Sequence, residues 1–395
     1  MLRFAACLVC PLILAACAAD APVTADAAVR DSAGIRIVEN GAPAGTVRLG
    51  AEPVVVIGSV TGDEAYLFEQ PRSPRLLADG GVAVGESRLH EIRFFAASGT
   101  HRFTVGGSGS GPGEFRTFST LALLPGDTLV IGDSSTDRIT WIGPDGTFIR
   151  AVADERSFFH PLPDGRLLRS EDVSDGSGGS MGPARDSMAL IAYRPGEPVE
   201  DSLATVLGDD YFVTMMRMGG SEAPRGLGLP YGRTRTTATI GDRIFTGDGE
   251  RFEILVLDPD GRLREVWRRA WAPVPLTDAH VQAQLDMLSG SSPGLSQLLM
   301  EPLADAPYRD HLAAYDRFVP TREGGLWARH QGMVGDSVVN WSVFSREGQW
   351  LGEVQTPPRF ELEDVRGRRV LGVTRDEYDV PFLHVHEVSL PRAGA

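Results

Sequence analysis

Residues Val105–Phe115 read V-G-G-S-G-S-G-P-G-E-F, and this stretch separates two copies of one sequence pattern. The copies span residues 75–105 and 120–152, and Gly85 in the first corresponds to Gly132 in the second, 47 residues later. Each copy contains four short apolar runs that are separated by turns rich in Gly, Asp and Pro. A fixed period of this length, with four strands in each unit, is typical of the blades of a β-propeller.

The same pattern recurs four more times along the chain, which predicts an all-β, six-bladed β-propeller over residues 33–392. The sixth repeat lacks a fourth strand. The apolar run Pro53–Gly58 precedes the first repeat, and we expect it to supply that strand and to close the ring. Closure would remove the open sheet edges that promote aggregation. Ile35–Glu39 is the alternative closing strand, or else an extra outer strand.

The longer connections between the predicted strands all fall in one class. In a four-stranded blade, the connections that enter the first strand and that join the second to the third lie on one face of the propeller. The long connections of this class are residues 106–119, 173–186, 208–234 and 271–316. The insertion at 271–316 has Val281, Leu285 and Leu288 at helical spacing. The pattern therefore predicts a small helical insertion within a cap on one face, where function commonly resides.

Three motifs carry a resemblance to a known family. They are the loop Gly107–Phe115, the segment Val130–Gly146 with its V-I-G-D-S and P-D-G elements, and the ending Gly372–Val380. With these motifs the chain resembles bacterial six-bladed β-propeller lipoproteins related to NHL-repeat proteins, over roughly residues 33–392. The resemblance implies a binding function in the periplasm or at the cell surface and implies no particular reaction, because propellers host many activities.

The N-terminus reads as a targeting segment. A basic residue is followed by the apolar run Phe4–Ala16, which is too short to span a bilayer and ends in L-A-A-C at Cys17. This ending is similar to a bacterial lipobox, so we predict a lipoprotein signal peptide over residues 1–17, acylation of Cys17 and a flexible tether over residues 18–32. An ordinary secretory signal is the alternative. The residue after Cys17 is not the aspartate that favours the inner membrane in some bacteria, so we expect the outer membrane.

Composition excludes several classes of function. The formal net charge is −15, which argues against nucleic-acid binding. The 38 basic residues are all arginine, so the chain contains neither a Walker A lysine nor a Schiff-base lysine. The cysteines Cys7, Cys10 and Cys17 all lie in the targeting segment, so the predicted propeller has no disulfide framework and no thiolate metal site.

Polar residues follow the second strand of each predicted blade, close to the expected cap face. Arg329, His330, Arg375 and Asp376 are the candidate ligand-binding residues, because arginines stand out in so acidic a chain. They would suit a polar or zwitterionic ligand at the mouth of the central channel. The alternative is that the carboxylates cap their own turns and that Arg375 neutralises a neighbouring acid.

These observations favour a lipid-anchored, extracytoplasmic binding module without a cofactor. Its partner would be a small molecule, a glycan, a peptide or a protein on the cap face. The alternative is a propeller hydrolase or lyase, similar to lactonases or amidating lyases, with a central divalent metal. The candidate ligands for such a metal, expected to be Ca²⁺, are Glu86, Asp133, Glu171 and Asp248.

Overall fold

The computed structural model describes residues 27–173, 181–218, 221–291 and 300–391. The predicted signal peptide, the acylation site Cys17 and residues 18–26 of the predicted tether lie outside the described residues. The last part of the predicted tether, Ala28–Ser32, is not a free tether but a strand that pairs with Ile35–Asn40. Within the described ranges, no helix has both the length and the apolar character that a bilayer crossing requires.

The strands fall into six sheets, which we number I to VI in chain order. Before sheet I the chain forms β1 Ala28–Ser32, β2 Ile35–Asn40, β3 Arg48–Leu49 and β4 Val55–Ile57. Sheet I contains β5 Pro71–Leu76, β6 Val82–Glu86, β7 Glu91–Phe95 and β8 His101–Gly106. Sheet II contains β9 Phe118–Leu123, β10 Leu129–Asp133, β11 Arg138–Ile142 and β12 Phe148–Ala153. Sheet III contains β13 His160–Pro161, β14 Leu167–Asp172, β15 Gly182–Tyr193, β16 Glu200–Met218 and β17 Ser221–Gly228.

The second half of the chain repeats this order with one helical interruption. Sheet IV contains β18 Thr236–Ile240, β19 Arg243–Gly247, β20 Glu253–Leu257 and β21 Leu263–Arg269. The helix α1 Asp278–Ser291 follows. Sheet V contains β22 Arg317–Pro320, β23 Leu326–Arg329, β24 Val339–Phe344 and β25 Trp350–Thr356. Sheet VI contains β26 Glu361–Arg366, β27 Arg369–Arg375 and β28 Pro381–Ser389. Short 3₁₀ turns occur at Glu64–Tyr66 and Pro125–Asp127.

The Asp-Gly hairpins fold as the sequence predicts. In sheet II, the carboxylate of Asp145 accepts a hydrogen bond from the amide of Thr147 at 3.0 Å, and Gly146 has a φ of 82°. Glycine adopts this left-handed conformation without steric cost. A Cβ atom at Gly146 would lie 2.7 Å from the ring of Phe103 in sheet I. The turn therefore needs glycine both for its backbone conformation and for its close contact with the neighbouring sheet.

Apolar clusters join each sheet to the next. Trp267 of sheet IV packs against Phe344 of sheet V with ring centroids 6.0 Å apart. Equivalent buried clusters join sheets I and II, II and III, III and IV, and V and VI, and another joins VI back to I. The first strands of neighbouring sheets also contact one another in a closed cycle. This mostly-β arrangement of antiparallel sheets around an axis is a β-propeller.

The ends of the chain meet in sheet VI. β4 pairs antiparallel with β28, so that Ile57 lies opposite Leu383 and Val55 lies opposite Val385. The predicted pairing of Pro53–Gly58 with the last sheet is therefore confirmed. The alternative segment forms β2, which pairs in parallel with β21 and adds an outer strand to sheet IV.

The two large insertions pack on each other. β16 continues into the insertion at 208–234 and pairs there with β17, while residues 300–304 are helical like α1. Their shared apolar cluster contains Tyr231, Val281, Leu285, Leu303 and Leu312. Leu288, which the spacing assigned to the same buried face, is 37% exposed. The insertions at 208–234 and 271–316 thus form one small core of their own.

Candidate functional site

The first strands of the six sheets surround a cavity of about 750 Å³, which we call the axial cavity. Its size lies within the range of small-molecule sites, roughly 300 to 1,000 Å³. Its wall includes most of β9 together with β13, β18 and β22. Of the described residues, five arginines and three carboxylates line it: Arg75, Arg169, Arg317, Arg322 and Arg366 with Asp127, Glu363 and Asp364. The wall therefore carries an excess of positive charge in a chain whose net charge is −15.

Most of these charges form ion pairs across the wall. Arg317 lies 3.1 Å from Glu363, Arg322 lies 3.1 Å from Asp364, and Arg366 lies 3.0 Å from Asp127. Burial raises the pKa of Glu363 above its usual range, although neighbouring arginines oppose this shift. The arginines and carboxylates thus form a network of ion pairs around the axis, and guanidinium groups are the donors that suit carboxylate and phosphate groups.

His160 contributes the imidazole of the axial wall. It lies on β13, and burial lowers its pKa to about 4, with further lowering by the positive charges of Arg235 and Arg75. The ring is therefore neutral at pH 7 and can accept or donate a single hydrogen bond to a ligand.

A second cavity of about 480 Å³ lies between sheets III and IV, and we call it the smaller cavity. Arg235 lines it, and the guanidinium of this residue also contacts two residues of the axial wall, Ser170 and Thr237. The two cavities therefore approach each other at Arg235.

Two of the candidate metal ligands are buried carboxylates that accept hydrogen bonds from backbone amides. Glu86 is fully buried and accepts hydrogen bonds from the amides of Glu69, Gln70 and Arg88 at 3.0–3.1 Å. Asp133 occupies the equivalent position in sheet II and accepts from four amides, those of Arg116, Thr117, Ser135 and Thr136. Each carboxylate fixes both its own turn and the segment that enters the first strand.

The other two candidate metal ligands form ion pairs. Glu171 lies 2.6 Å from Arg169, and Asp248 lies 3.0 Å from Arg185. In the part of the chain that the structure describes, no three His, Cys, Asp or Glu residues are grouped so that they could hold a metal ion. The structure therefore does not bring Glu86, Asp133, Glu171 and Asp248 together.

Arg329 and His330 lie at the end of β23 in internal contacts. Arg329 donates a 2.6 Å hydrogen bond to Asp316, and burial raises the pKa of that carboxyl. The Nε2 atom of His330 lies 2.8 Å from the hydroxyl of Ser342 and 3.2 Å from the guanidinium of Arg269. Because a guanidinium can only donate, Nε2 acts as an acceptor. Burial, helped by Arg269, lowers the pKa of His330 to about 4.

Arg375 and Asp376 lie at the end of β27. Arg375 pairs with Asp379 at 3.5 Å, not with the adjacent acids that the sequence suggested. Asp376 caps its own turn by accepting from the amides of Tyr378 and Val380, each at 2.9 Å. Among the described residues that line the axial cavity, none of Arg329, His330, Arg375 and Asp376 is present. Their role in binding stays a prediction.

Sequence reasoning missed the arginines of the axial wall. The predicted ligand-binding residues lie at the ends of the second strands, whereas the first strand of each blade borders the axis. Arg75, Arg317 and Glu363 lie within the first strands of sheets I, V and VI. Charged residues inside the first strands of the blades were the available signal, because charged groups on the inner strands of a propeller need a polar channel or a partner.

Comparisons with known proteins show low similarity. No family model matches the chain, and no curated protein is significantly similar to it. A Bacteroides fragilis protein described as exported is 12% identical, with a TM-score of 0.47 over 90% of this chain and 100% of that chain. A Bacteroides vulgatus member of the DUF4221 family is 9% identical, with a TM-score of 0.47 over 87% and 99% of the two chains. Virginiamycin B lyase of Staphylococcus aureus is 11% identical, with a TM-score of 0.37 over 82% and 97%. Similarities this low carry no argument about activity or location.

Proposed function

We propose that this chain is a lipid-anchored, extracytoplasmic, six-bladed β-propeller that binds a small polar ligand in its axial cavity. The observation that carries the proposal is the excess of arginine on the axial wall of an acidic protein. Taking these arginines partly out of water costs solvation free energy, and we take recognition of a ligand to be the reason that they are retained here. The arginine forks suit planar, charged ligand groups.

The anchor part of the proposal depends on the sequence. The apolar run Phe4–Ala16 and the lipobox ending at Cys17 support export and acylation. The tether would then hold the propeller near a bacterial membrane, which we take to be the outer one.

The binding part can be tested by a thermal-shift screen of periplasmic metabolites, glycans and peptides, followed by hydrogen exchange with the best ligand. We expect the ligand to slow exchange in β9 and β18, which line the axial cavity, and to leave the outer strand β12 unchanged. Slowed exchange that is confined to residues 276–312 would place the ligand on the cap and contradict the proposal. A stoichiometric divalent metal in the purified protein would favour an enzyme over a binding module.

A further inference from the structure

Arg235 differs from the arginines of the axial wall because it has no carboxylate partner. Its Nη1 atom donates to the hydroxyls of Ser170 at 2.8 Å and Thr237 at 3.0 Å. Its Nε atom is buried and has no acceptor. Among the described residues, Nη2 also has no acceptor, and no carboxylate lies within 4.0 Å of the guanidinium. Asp209, the acid that acts on its charge, accepts a hydrogen bond from the backbone amide of Arg235.

Other arginines near the two cavities have a carboxylate partner, although the Nε atoms of Arg169 and Arg322 are buried without an acceptor, like that of Arg235. Arg169, Arg317, Arg322 and Arg366 each lie within 3.1 Å of a carboxylate oxygen. The carboxylates that line the smaller cavity are also taken by other arginines: Asp248 by Arg185, Glu250 by Arg233 and Arg309, and Glu253 by Arg268. Among the described arginines of the smaller cavity, these acids leave Arg235 and Arg251 without a carboxylate partner, and of these two only Arg235 is partly buried.

The surroundings of Arg235 supply further polar groups without supplying negative charge. The hydroxyl of Thr237 lies 3.2 Å from that of Thr246, which lines the smaller cavity. The neutral ring of His160 is close enough for the charge of Arg235 to lower its pKa. Burial also lowers the pKa of Arg235 itself, since the charged form is poorly solvated. Hydroxyls, an imidazole and a guanidinium together are the groups that recognise oxyanions in proteins.

We infer that Arg235 binds an oxyanion of the ligand, a carboxylate or a phosphate, where the axial cavity and the smaller cavity meet. Ser170 and Thr237 fix the guanidinium by accepting from Nη1, which leaves Nη2 to donate to the anion. This inference rests on the proposed function, since it assigns the chemical class of the ligand that the axial cavity binds. An anion there would supply the negatively charged acceptor that the protein itself does not place in contact with the guanidinium of Arg235.

The test measures binding of two probes, inorganic phosphate and succinate, by isothermal titration with the full chain in mild detergent. We expect at least one probe to bind, and we expect Arg235→Gln to weaken that binding by about tenfold or more, as loss of a charged hydrogen bond does. Arg116→Gln is the matched control, because Arg116 is exposed, lines neither cavity and undergoes the identical charge change. The control should bind as the wild type does. The probe that binds more tightly identifies the anion as a carboxylate or a phosphate.

A second measurement separates binding from folding. Arg235→Gln should melt no lower than the wild type, because it removes a charge that no carboxylate compensates. If Arg235→Gln does not fold, the double variant Ser170→Ala, Thr237→Val decides, and it should weaken probe binding severalfold. The inference is overturned if neither probe binds, or if the variants at Arg235, Ser170 and Thr237 bind like the wild type. It is equally overturned if Arg116→Gln weakens binding as much as Arg235→Gln.

The result is distinguishable from failure of the proposed function. A ligand that slows exchange in β9 and β18 but binds Arg235→Gln normally would leave the propeller a binding module and remove only the anion site. If the probes bind at Arg235 but no ligand slows exchange in the axial strands, the anion site is kept and the axial cavity is lost as the ligand site.

Discussion

Replacement of His330 by Gln should remove part of the acid sensitivity of this protein. The pKa of the buried His330 ring is about 4, compared with 6.5 for an ordinary histidine. Between these two pH values the unfolded chain takes up a proton at this residue, whereas the folded protein does not. The contribution of His330 to the free energy of unfolding is therefore complete above pH 6.5 and is lost as the pH falls toward 4.

The size of the effect follows from the two pKa values. A pH of 5 is 1.5 units below the pKa of 6.5 of the unfolded histidine, so that histidine is mainly protonated, while the folded histidine is still mainly neutral. At about 1.4 kcal/mol per unit, the wild type loses about 2 kcal/mol between pH 7 and pH 5 through this one residue. His160 has the same pair of pKa values, so it contributes a second loss of about 2 kcal/mol.

Urea denaturation of the wild type, His330→Gln, His160→Gln and the double variant at pH 7 and pH 5 measures these terms. Each single substitution should reduce the pH-dependent loss by about 2 kcal/mol, and the double variant should reduce it by about 4 kcal/mol. Comparison of the variants cancels the contributions of other titrating groups, including Asp316 and Glu363, whose raised pKa values act in the opposite direction. If His330→Gln loses as much stability between pH 7 and pH 5 as the wild type, the burial argument for this histidine is wrong.

Three further predictions concern the ring and the anchor. Gly146→Ala should destabilise the protein by about 2–5 kcal/mol, because the added Cβ atom clashes with Phe103 and the backbone conformation is also strained. Gly126→Ala should cost only about 1–2 kcal/mol, because Gly126 has a similar φ but open space around it. Equal urea midpoints for the two variants would contradict the packing argument. Deletion of residues 50–60 removes β4 and should cause aggregation by exposing the edge of β28, and a soluble variant with a normal melting temperature would show that closure is dispensable. Mass spectrometry of protein made in a bacterial host should find an N-terminal lipidated Cys17, and a mature chain that starts elsewhere would exclude the anchor.

Much of the fold could be predicted because strand period and turn chemistry are local. The Asp-Gly hairpins, the strand Arg138–Ile142 and the closing segment near Val55–Ile57 all follow from short patterns that the structure keeps. The packing of the glycine-rich loop before sheet II was harder to predict: Phe115 is fully buried, and Arg138 donates to the carbonyls of Ser110 and Glu114. One apolar residue at the end of a glycine-rich run was the signal that the loop packs.

The site was less predictable because it depends on contacts between distant strands. The pairing of Arg317 with Glu363 joins sheets V and VI, and Arg235 meets Ser170 across 65 residues of sequence. A blade-by-blade pattern shows that such residues are polar, but it does not show which of them face the axis and which of them find a partner. The same limit applies to Arg375. Several acidic residues follow it in the sequence, and the sequence does not show that Asp379 is the one that pairs with it.

The strand β4 has a consequence for the order in which this protein is made. Ile57 leaves the ribosome 326 residues before its partner Leu383, and at about 5–20 residues per second this interval lasts roughly 15 to 65 seconds. The hydrogen bonds that join β4 to β28 are therefore among the last that the newborn chain can form. During this interval β4 has no partner strand, and because it is only three residues long its unpaired edge is short. Because β4 is short, it offers few unpaired backbone groups for aggregation before β28 has been synthesised.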